Sequence, residues 1–296
     1  MISIAMTTFN GEKYLRSQLD SILNQTYPDF ELVICDDCST DSTVYIINES
    51  KAKDSRIKLF INETNLGFKK NFEKAISLCK GEYIALSDQD DCWTKNHLQL
   101  LVENIKDNYL ICGNNLIVND DGKSTGIDFF DSNNFSPKIF KTNKDILKRI
   151  LLCGNCFQGA SMMMTKEFAE RLLPFPENIK YHDLWMSSLA SAQNKFSCTT
   201  EIVTLYRQHS LQVTRKSIKA EQFYISRLEL ISNLKKNNIY KENAKEIKNI
   251  EKFLLNQNNL SGRVKNTVYF FKNYKYIHPL KYKHIFHYLK YLLKGL

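Results

Sequence analysis

The sequence lacks the runs and loops by which several protein classes are recognised. No apolar run in its 296 residues approaches the ~20 residues that a membrane-spanning helix needs. No Gly-x-Gly-x-x-Gly follows the first apolar run and no Walker loop is present, so the dinucleotide-binding and phosphate-loop signatures are missing. There is no internal repeat and no low-complexity linker. We therefore expect a globular chain with one large domain, or one domain plus an appendage.

Acidic residues are absent from the C-terminal stretch that begins at Arg263, and the chain as a whole carries a net charge of +9. Apolar residues between Ile285 and Leu296 fall on one helical face of this stretch. A basic amphipathic helix of this kind is typical of proteins that lie on anionic membranes. The alternative is a helix that folds back on the domain or forms a dimer contact. Basic charge confined to a tail also argues against a nucleic-acid partner.

No secretory signal is recognisable at the N-terminus, and the chain has eight cysteines. This combination predicts a reduced, cytoplasmic setting. The pairs Cys35/Cys38 and Cys153/Cys156 have the Cys-x-x-Cys spacing of zinc sites. We interpret them as free thiols, because the two pairs are separated by most of the predicted sheet.

Apolar strand-like runs alternate with amphipathic helical patterns through the first part of the chain. The four strands are predicted at 2–6, 30–35, 57–61 and 83–86. This alternation predicts an α/β fold with a mostly parallel sheet and right-handed crossovers. Further elements are predicted as strands at 109–119, 159–165 and 196–206 and helices at 145–152, 166–173 and from 181, with 127–142 irregular. We predict one domain over 1–215 and a helical, basic extension over 216–296.

Polar clusters follow three of the predicted strands, at 7–9, 36–37 and 88–91. In parallel sheets ligands bind at the C-terminal ends of the strands, so these clusters are expected along one edge. Asp88, Asp90 and Asp91 repel each other when ionised, and a hard divalent cation bridging a diphosphate would neutralise them. The alternative is a solvated turn that caps the next helix.

The order and spacing of several motifs resemble the family-2 glycosyltransferases of the GT-A fold. The matching pieces lie at 7–15, 21–26, 33–41, 65–67, 86–93, 182–185 and 205–209. The Ser-Asp-Gln-Asp-Asp, His-Asp-x-Trp and Tyr-Arg-Gln-His forms are most similar to bacterial rhamnosyltransferases that build surface polysaccharides. The resemblance covers residues 1–215 and implies a GT-A-type, Rossmann-like sheet.

The resemblance implies a nucleotide site on the first two strands. Thr7 and Phe9 would contact the base, and Asp37 would accept a hydrogen bond from the pyrimidine N3–H, a role that Asp36 lies close enough to share. Asp88 would lie near the ribose or the metal.

The same resemblance implies a metal site for Mg²⁺ or Mn²⁺. Asp90 would be the principal ligand, and His209 a further ligand or a diphosphate contact, with a structural hydrogen bond as its alternative. Asp91 is a further candidate in this motif. Arg207 is a second candidate for pairing with the diphosphate.

The catalytic base implied by the resemblance is Asp183, which would take the proton of the acceptor hydroxyl. His182 stands where the family more often has Glu. Trp93 and Trp185 each follow a candidate carboxylate by two positions and either stack on the acceptor sugar or pack in the core.

The resemblance implies an inverting, metal-dependent glycosyltransferase, and the basic C-terminal stretch predicts that it lies on the inner face of the cell membrane. The first donor expected is dTDP-L-rhamnose, with a UDP-hexose as the alternative, and the acceptor is a saccharide carried on a polyprenyl diphosphate. Two other readings stay open. One is a nucleotidyltransferase, although residues 7–13 contain only one glycine. The other is a nucleic-acid- or membrane-binding protein without catalysis.

Overall fold

The structure is a computed structural model that describes residues 1–210, 212, 220–236, 241–256 and 260–277. A nine-stranded mixed sheet forms its centre. The strands are β1 (Ile2–Thr8), β2 (Phe30–Asp36), β3 (Ile57–Ile61), β4 (Tyr83–Ser87), β5 (Cys92–Trp93), β6 (Leu110–Val118), β7 (Ser124–Asp128), β8 (Met162–Thr165) and β9 (Phe196–Arg207). Their order is β3-β2-β1-β4-β8-β6-β9-β5, and β7 pairs with β6.

Helices cover both faces of this sheet and form the C-terminal region. They are α1 (Glu12–Leu23), α2 (Thr43–Lys51), α3 (Phe68–Leu78), α4 (His97–Ile105), α5 (Phe129–Ser132), α6 (Asn143–Cys153), α7 (Lys166–Leu172), α8 (His182–Ala192), α9 (Ala220–Lys236), α10 (Ala244–Leu255), α11 (Leu260–Lys265), α12 (Thr267–Lys272) and α13 (Tyr274–Ile277). Short 3₁₀ turns lie at Gly159–Ser161 and Lys241–Asn243. The α/β fold with a helical C-terminal region is therefore confirmed.

The first half of the sheet is parallel, as the alternating pattern predicts. β1 pairs in parallel with both β2 and β4, and β2 with β3. β1 and β2 are buried along their whole length, because helices cover both faces of a parallel sheet. The register pairs Thr8 with Asp36 and Met6 with Ser87, so the predicted polar clusters meet at one edge.

The second half of the sheet brings a distant part of the chain to the same edge. β8 runs antiparallel to both β4 and β6, and β9 runs parallel to β6. β9 therefore points the same way as β4, and its last residue, Arg207, lies at the edge that carries the polar clusters.

The strand predicted at 159–165 begins only at Met162, after the 3₁₀ turn at Gly159–Ser161, and one further predicted stretch differs in the structure. Residues 127–142 include the end of β7 and the helix α5, rather than being irregular throughout. Two local interactions explain these elements. A turn in which Gly122 N donates to Asn119 O folds β7 back onto β6, and the Asp128 carboxylate accepts from Asp131 N at 2.8 Å and caps α5.

The C-terminal helices share the core of the sheet. Leu230, Ile250 and Phe270 are fully buried in the same apolar cluster as Phe72 and Leu184. The domain boundary near residue 215 stays a prediction. The predicted membrane-binding face at 285–296 lies outside the described residues. Within the ranges described, no helix has both the length and the hydropathy needed to cross a bilayer.

Candidate functional site

The Asp36 carboxylate shapes the turn that follows β2. This side chain is fully buried, and its Oδ1 accepts from Ser39 N at 2.8 Å. Its Oδ2 accepts from Thr8 Oγ1 at 2.8 Å and from Ser39 Oγ at 2.6 Å. The carboxylate is thus occupied by the protein and joins the ends of β1 and β2. Thr7, the neighbour of Thr8, is also buried at this strand end.

The neighbouring carboxylate of Asp37 holds a second loop in place. Asn62 Nδ2 and Leu66 N donate to its Oδ1, and Gly67 N donates to its Oδ2, each at 2.8 Å. Gly67 has a φ of +81°, which favours glycine. A carboxylate offers about four acceptor positions, so one remains on Asp37 for a ligand donor. Asp36 also accepts from three donors, so each of the two carboxylates has about one acceptor position left for a base.

The side chain of Gln89, for which the sequence predicted no role, holds the backbone of Phe9 at this edge. The Phe9 ring is 45% exposed. Phe9 N donates to Gln89 Oε1 at 2.8 Å, and Gln89 Nε2 donates to Phe9 O at 2.9 Å. A Cβ on Gly11 would lie 2.3 Å from Gln89 Oε1, so glycine at 11 leaves room for this side chain. Gln89 ties the predicted base platform to the carboxylate motif.

The three carboxylates of the motif after β4 lie in different surroundings. Burial, together with the negative charges of Asp90 and Asp183, raises the pKa of Asp88 to about 7. Asp91 is 1% exposed, and its Oδ1 accepts from Arg207 N at 3.0 Å, while its Oδ2 has no hydrogen-bond partner among the described residues. Burial raises the pKa of Asp91 well above its usual range. Simultaneous ionisation of the three carboxylates is thus unfavourable unless a cation lies nearby.

Basic side chains from the end of β9 reach the motif. His209 Nε2 lies 2.9 Å from Asp90 Oδ2. Arg207 donates through Nε to Asp90 O at 2.9 Å and through Nη1 to Asp120 O at 2.7 Å, and its guanidinium lies over the Tyr14 ring. Arg207 therefore braces the backbone of the motif. Its predicted contact with a diphosphate stays a prediction.

Asp120 lies in the turn between β6 and β7, and the sequence predicted no binding role for it. In the structure it accepts from Tyr14 Oη at 2.5 Å and from Lys13 Nζ at 2.9 Å. The Tyr14 ring packs against His209, with centroids 4.7 Å apart. Asp120, in the β6–β7 turn, thereby holds the Tyr14 ring that packs against His209.

The metal-binding role of Asp90 and His209 stays a prediction. In the described part of the chain, no three His, Cys, Asp or Glu side chains are grouped as a ready-made metal site. Mg²⁺ is commonly held by one or two side chains together with substrate phosphates. The Asp90–His209 pair and the unpartnered Asp91 Oδ2 fit that second arrangement.

Asp183 lies in the first turn of α8 and belongs to the same electrostatic cluster as Asp88. Burial raises the pKa of Asp183 to about 6. Leu184 N, which donates to this carboxylate at 2.6 Å, and the Asn155 side chain favour the ionised form and lower the pKa in part. The charge of Asp183 in turn contributes to the raised pKa of Asp88. The structure thus brings the predicted base and the motif after β4 together.

His182 is enclosed by aromatic rings instead of by charges. Phe72, Phe68 and Phe175 surround it, with ring centroids at 4.3, 6.3 and 6.0 Å. Burial lowers the pKa of His182 to about 4, so the ring is neutral at neutral pH. It positions the start of α8 without adding charge beside Asp183.

A lysine links the Gly67 loop to the segment that precedes Asp183. Lys69 Nζ donates to Pro176 O at 3.0 Å, Glu177 O at 2.8 Å and Ile179 O at 2.9 Å. All three ammonium protons are thereby used. The sequence did not predict this role, because the pattern of an amphipathic helix does not distinguish a lysine that binds protein carbonyls from a solvated lysine.

The same segment is also held from the C-terminal region. Asn233 Nδ2, on α9, donates to Asn178 Oδ1 at 2.8 Å. The segment at 176–179 is therefore held on two sides, by α3 and by α9.

Both tryptophans pack in the core. Trp93 is 4% exposed, stacks on His97 with centroids 3.7 Å apart and donates to Ala160 O at 3.2 Å. Trp185 is 2% exposed. Their burial favours the packing alternative over stacking on an acceptor sugar. All eight cysteines are free thiols.

Comparisons with known proteins agree on one family. The family model described as Glycosyl transferase family 2 matches residues 3–172. An uncharacterized glycosyltransferase of Haemophilus influenzae is 33% identical over 183 residues, which are 62% of this chain and 68% of that protein.

Two further relatives are similar over part or most of the chain. The Escherichia coli UDP-Glc:alpha-D-GlcNAc-diphosphoundecaprenol beta-1,3-glucosyltransferase WfgD is 38% identical over 126 residues, 40% of this chain and 49% of that protein. The structure of S. aureus TarS 1-349 in complex with UDP-GlcNAc matches with a TM-score of 0.64 and 22% identity, over 86% of this chain and 71% of that one. The second likeness concerns the fold alone.

Proposed function

This chain belongs to glycosyl transferase family 2, and we propose that it transfers a sugar with inversion from a nucleoside-diphosphate donor to a lipid-linked saccharide of a bacterial surface polysaccharide. One observation carries this proposal. Asp183, at the start of α8, and Asp88, at the end of β4, lie close enough for the charge of one to raise the pKa of the other. A donor and an acceptor bound between them would meet in one site.

Asp183 is the base in this proposal. Its carboxylate takes the proton of an acceptor hydroxyl as that oxygen forms a bond to C1 of the sugar. The C1–O bond to the diphosphate breaks on the opposite face, and the electron pair leaves with the nucleoside diphosphate. A pKa of about 6 keeps Asp183 ionised at neutral pH while retaining more basicity than an ordinary aspartate.

The donor lies at the strand ends. Phe9 offers an exposed ring to the base, and Asp37 retains one acceptor position for the N3–H. The diphosphate would lie against Asp90 and His209, whose side chains are 2.9 Å apart. A divalent cation such as Mn²⁺ or Mg²⁺, when bound there, would neutralise the leaving group.

The donor sugar is proposed from the relatives. WfgD is named for UDP-Glc, and TarS was solved with UDP-GlcNAc. These names support a UDP-hexose, and dTDP-L-rhamnose stays the donor suggested by the Ser-Asp-Gln-Asp-Asp form. The diphosphoundecaprenol in the WfgD name supports an acceptor of the same chemical class.

We further propose that the basic C-terminal stretch holds the enzyme on an anionic membrane, where a lipid-linked acceptor resides. The charge from Lys281 to Lys294 supports this, with no Asp or Glu beyond Arg263. The extension over 216–296 would then serve the acceptor side, and the domain over 1–215 the donor side.

A thermal-shift panel tests the donor site. Full-length protein and Asp90→Ala are melted with UDP-glucose, UDP-GlcNAc or dTDP-L-rhamnose, each with and without Mn²⁺. A ligand present at ~100 times its Kd adds about 2.7 kcal/mol to the free energy of unfolding. We expect stabilisation by one donor that requires Mn²⁺ and is lost in Asp90→Ala. No response to any nucleotide sugar would contradict the proposal.

A further inference from the structure

Two buried arginines contact the loop at Gly154, outside the machinery described so far. Arg227, on α9, is 5% exposed, and its Nε and Nη1 have no hydrogen-bond partner among the described residues. Arg149, on α6, is 3% exposed and donates through Nη1 to Gly154 O at 3.0 Å and through Nη2 to Asn133 O at 2.6 Å. Its Nε also has no partner there.

No carboxylate forms an ion pair with either arginine in the part of the chain whose side chains the structure describes. A buried charge without a paired counter-ion is costly for folding. Burial, with repulsion from Arg149, lowers the pKa of Arg227 to about 10, so it stays cationic at neutral pH.

The loop at Gly154 places these cations next to Asp183. Arg227 Nη2 lies 3.6 Å from the position of a Cβ on Gly154, whose carbonyl binds Arg149. The following residue, Asn155, is joined to the first turn of α8 by Ser187, whose Oγ lies 3.3 Å from Asn155 Oδ1 and 2.8 Å from Asp183 O. The charge of Arg227 acts on Asp183 as well. The guanidinium of Arg227 therefore lies on the base side of the site.

Guanidinium groups with free N–H donors are suited to phosphate oxygens, which they bind in a bidentate manner. The diphosphate of the donor is proposed to lie at Asp90 and His209. A second anionic group beside the base would belong to the molecule whose hydroxyl Asp183 deprotonates.

We propose that Arg149 and Arg227 bind the diphosphate group of the acceptor, next to Asp183, and that helix α9 of the extension completes the acceptor site. This inference rests on the proposed function. It places Arg227, which lies beyond the residues 3–172 matched by the family model, in direct contact with the acceptor.

The test is isothermal titration calorimetry of the full-length protein with inorganic pyrophosphate, in EDTA. The donor site is first saturated with UDP or dTDP, whichever the donor panel selects. We expect pyrophosphate to bind the wild-type protein and to bind Arg227→Gln at least ~10-fold more weakly, a difference of about 1.4 kcal/mol. The affinity of Arg227→Lys for pyrophosphate should be intermediate, since lysine retains the positive charge but lacks the paired N–H groups of the guanidinium. Arg171→Gln, which changes an exposed arginine paired with Glu167, is the matched control.

Melting temperatures separate binding from folding. If Arg227 is an unpaired cation awaiting a ligand, Arg227→Met should melt at the wild-type temperature or a few degrees above it. Equal pyrophosphate affinity in the wild type and Arg227→Gln would overturn the proposal, as would complete displacement of pyrophosphate by the nucleotide. Failure of the proposed function would appear separately, as absence of nucleotide binding or turnover.

Discussion

His209 Nε2 lies 2.9 Å from Asp90 Oδ2, a contact that joins residues 119 positions apart. It connects the end of β9 to the carboxylate motif after β4 and closes the site across the sheet edge. Tyr14 packs on the histidine, and Asp120 accepts from Tyr14 Oη. The contact is therefore supported by side chains from two other elements.

Replacing His209 tests whether this pair serves the diphosphate and its cation. His209→Gln should raise the Mn²⁺ concentration for half-maximal transfer by about 10-fold, because one of two protein groups at the diphosphate is lost. His97→Gln, which changes a buried histidine that stacks on Trp93, is the control for general damage. An unchanged metal requirement in His209→Gln would assign the histidine a structural role.

Asp183→Asn should abolish transfer while keeping the donor site. A general base contributes about 10²–10⁴-fold, so kcat should fall by that factor with little change in the Kd for the donor nucleotide. The free energy of unfolding at pH 8 should rise by about 1–2 kcal/mol, because the variant removes a buried charge. Single-turnover assays and thermal melts measure the two effects. Retained kcat would exclude Asp183 as the base.

The pH dependence follows from the raised pKa of Asp183, about 6. Its carboxylate is ionised above that pH, so kcat/KM should lose about tenfold per pH unit below it. The stability effect has the opposite sign. Because the folded-state pKa lies above the unfolded value, ionisation of Asp183 costs stability as pH rises from about 4 to 6. Assays at saturating Mn²⁺ across this range, with melts in parallel, measure both.

Gln89→Ala should weaken donor binding. The change removes both hydrogen bonds that fix the Phe9 backbone, so the predicted base platform loses its position. We expect the KM for the donor to rise about 5–10-fold, from about 1 kcal/mol of lost positioning, with a smaller change in kcat. Gln99→Ala removes a half-buried glutamine that contacts Glu103, and it serves as the control. Equal KM values in the two variants would refute this role.

Truncation after Ile277 should release the protein from anionic membranes. It removes Lys281, Lys283, Lys290 and Lys294, each expected to contribute about 1 kcal/mol near an anionic surface. Sedimentation with phosphatidylglycerol vesicles measures the loss, and phosphatidylcholine vesicles are the control. Unchanged sedimentation would remove the membrane proposal.

The position of the truncation matters for that experiment. Phe270, Tyr274 and Tyr276 are buried, and Tyr276 Oη donates to Asp145. A cut before residue 263 would expose the core that these side chains cover and lower the melting temperature, which would confuse lost binding with unfolding.

The sequence predicted the strands and the polar strand ends because both depend on local patterns. Apolar runs fixed the positions of β1, β2 and β4, and parallel topology then brought Asp37 and Asp88 to one edge. The family motifs identified Asp183, which the structure places in the same cluster.

The contacts that shape the site were not predictable in the same way. Gln89 was visible within its motif, but its bonds to Phe9 depend on how two loops meet. Lys69 and Arg227 have no local signature, because burial of a cation is decided by helices that are distant in sequence. The charge counted along the chain marks the basic C-terminal stretch and does not indicate that these two cations are buried.

The double attachment of the 176–179 segment has a consequence for protein engineering. Lys69 holds its carbonyls from one side, and Asn233 holds Asn178 from the other. A chimera that takes its C-terminal helices from a relative, in order to change the acceptor, would have to carry a matching partner for Asn178. Without one, the graft would loosen the approach to Asp183 and lose turnover even if the new helices folded correctly.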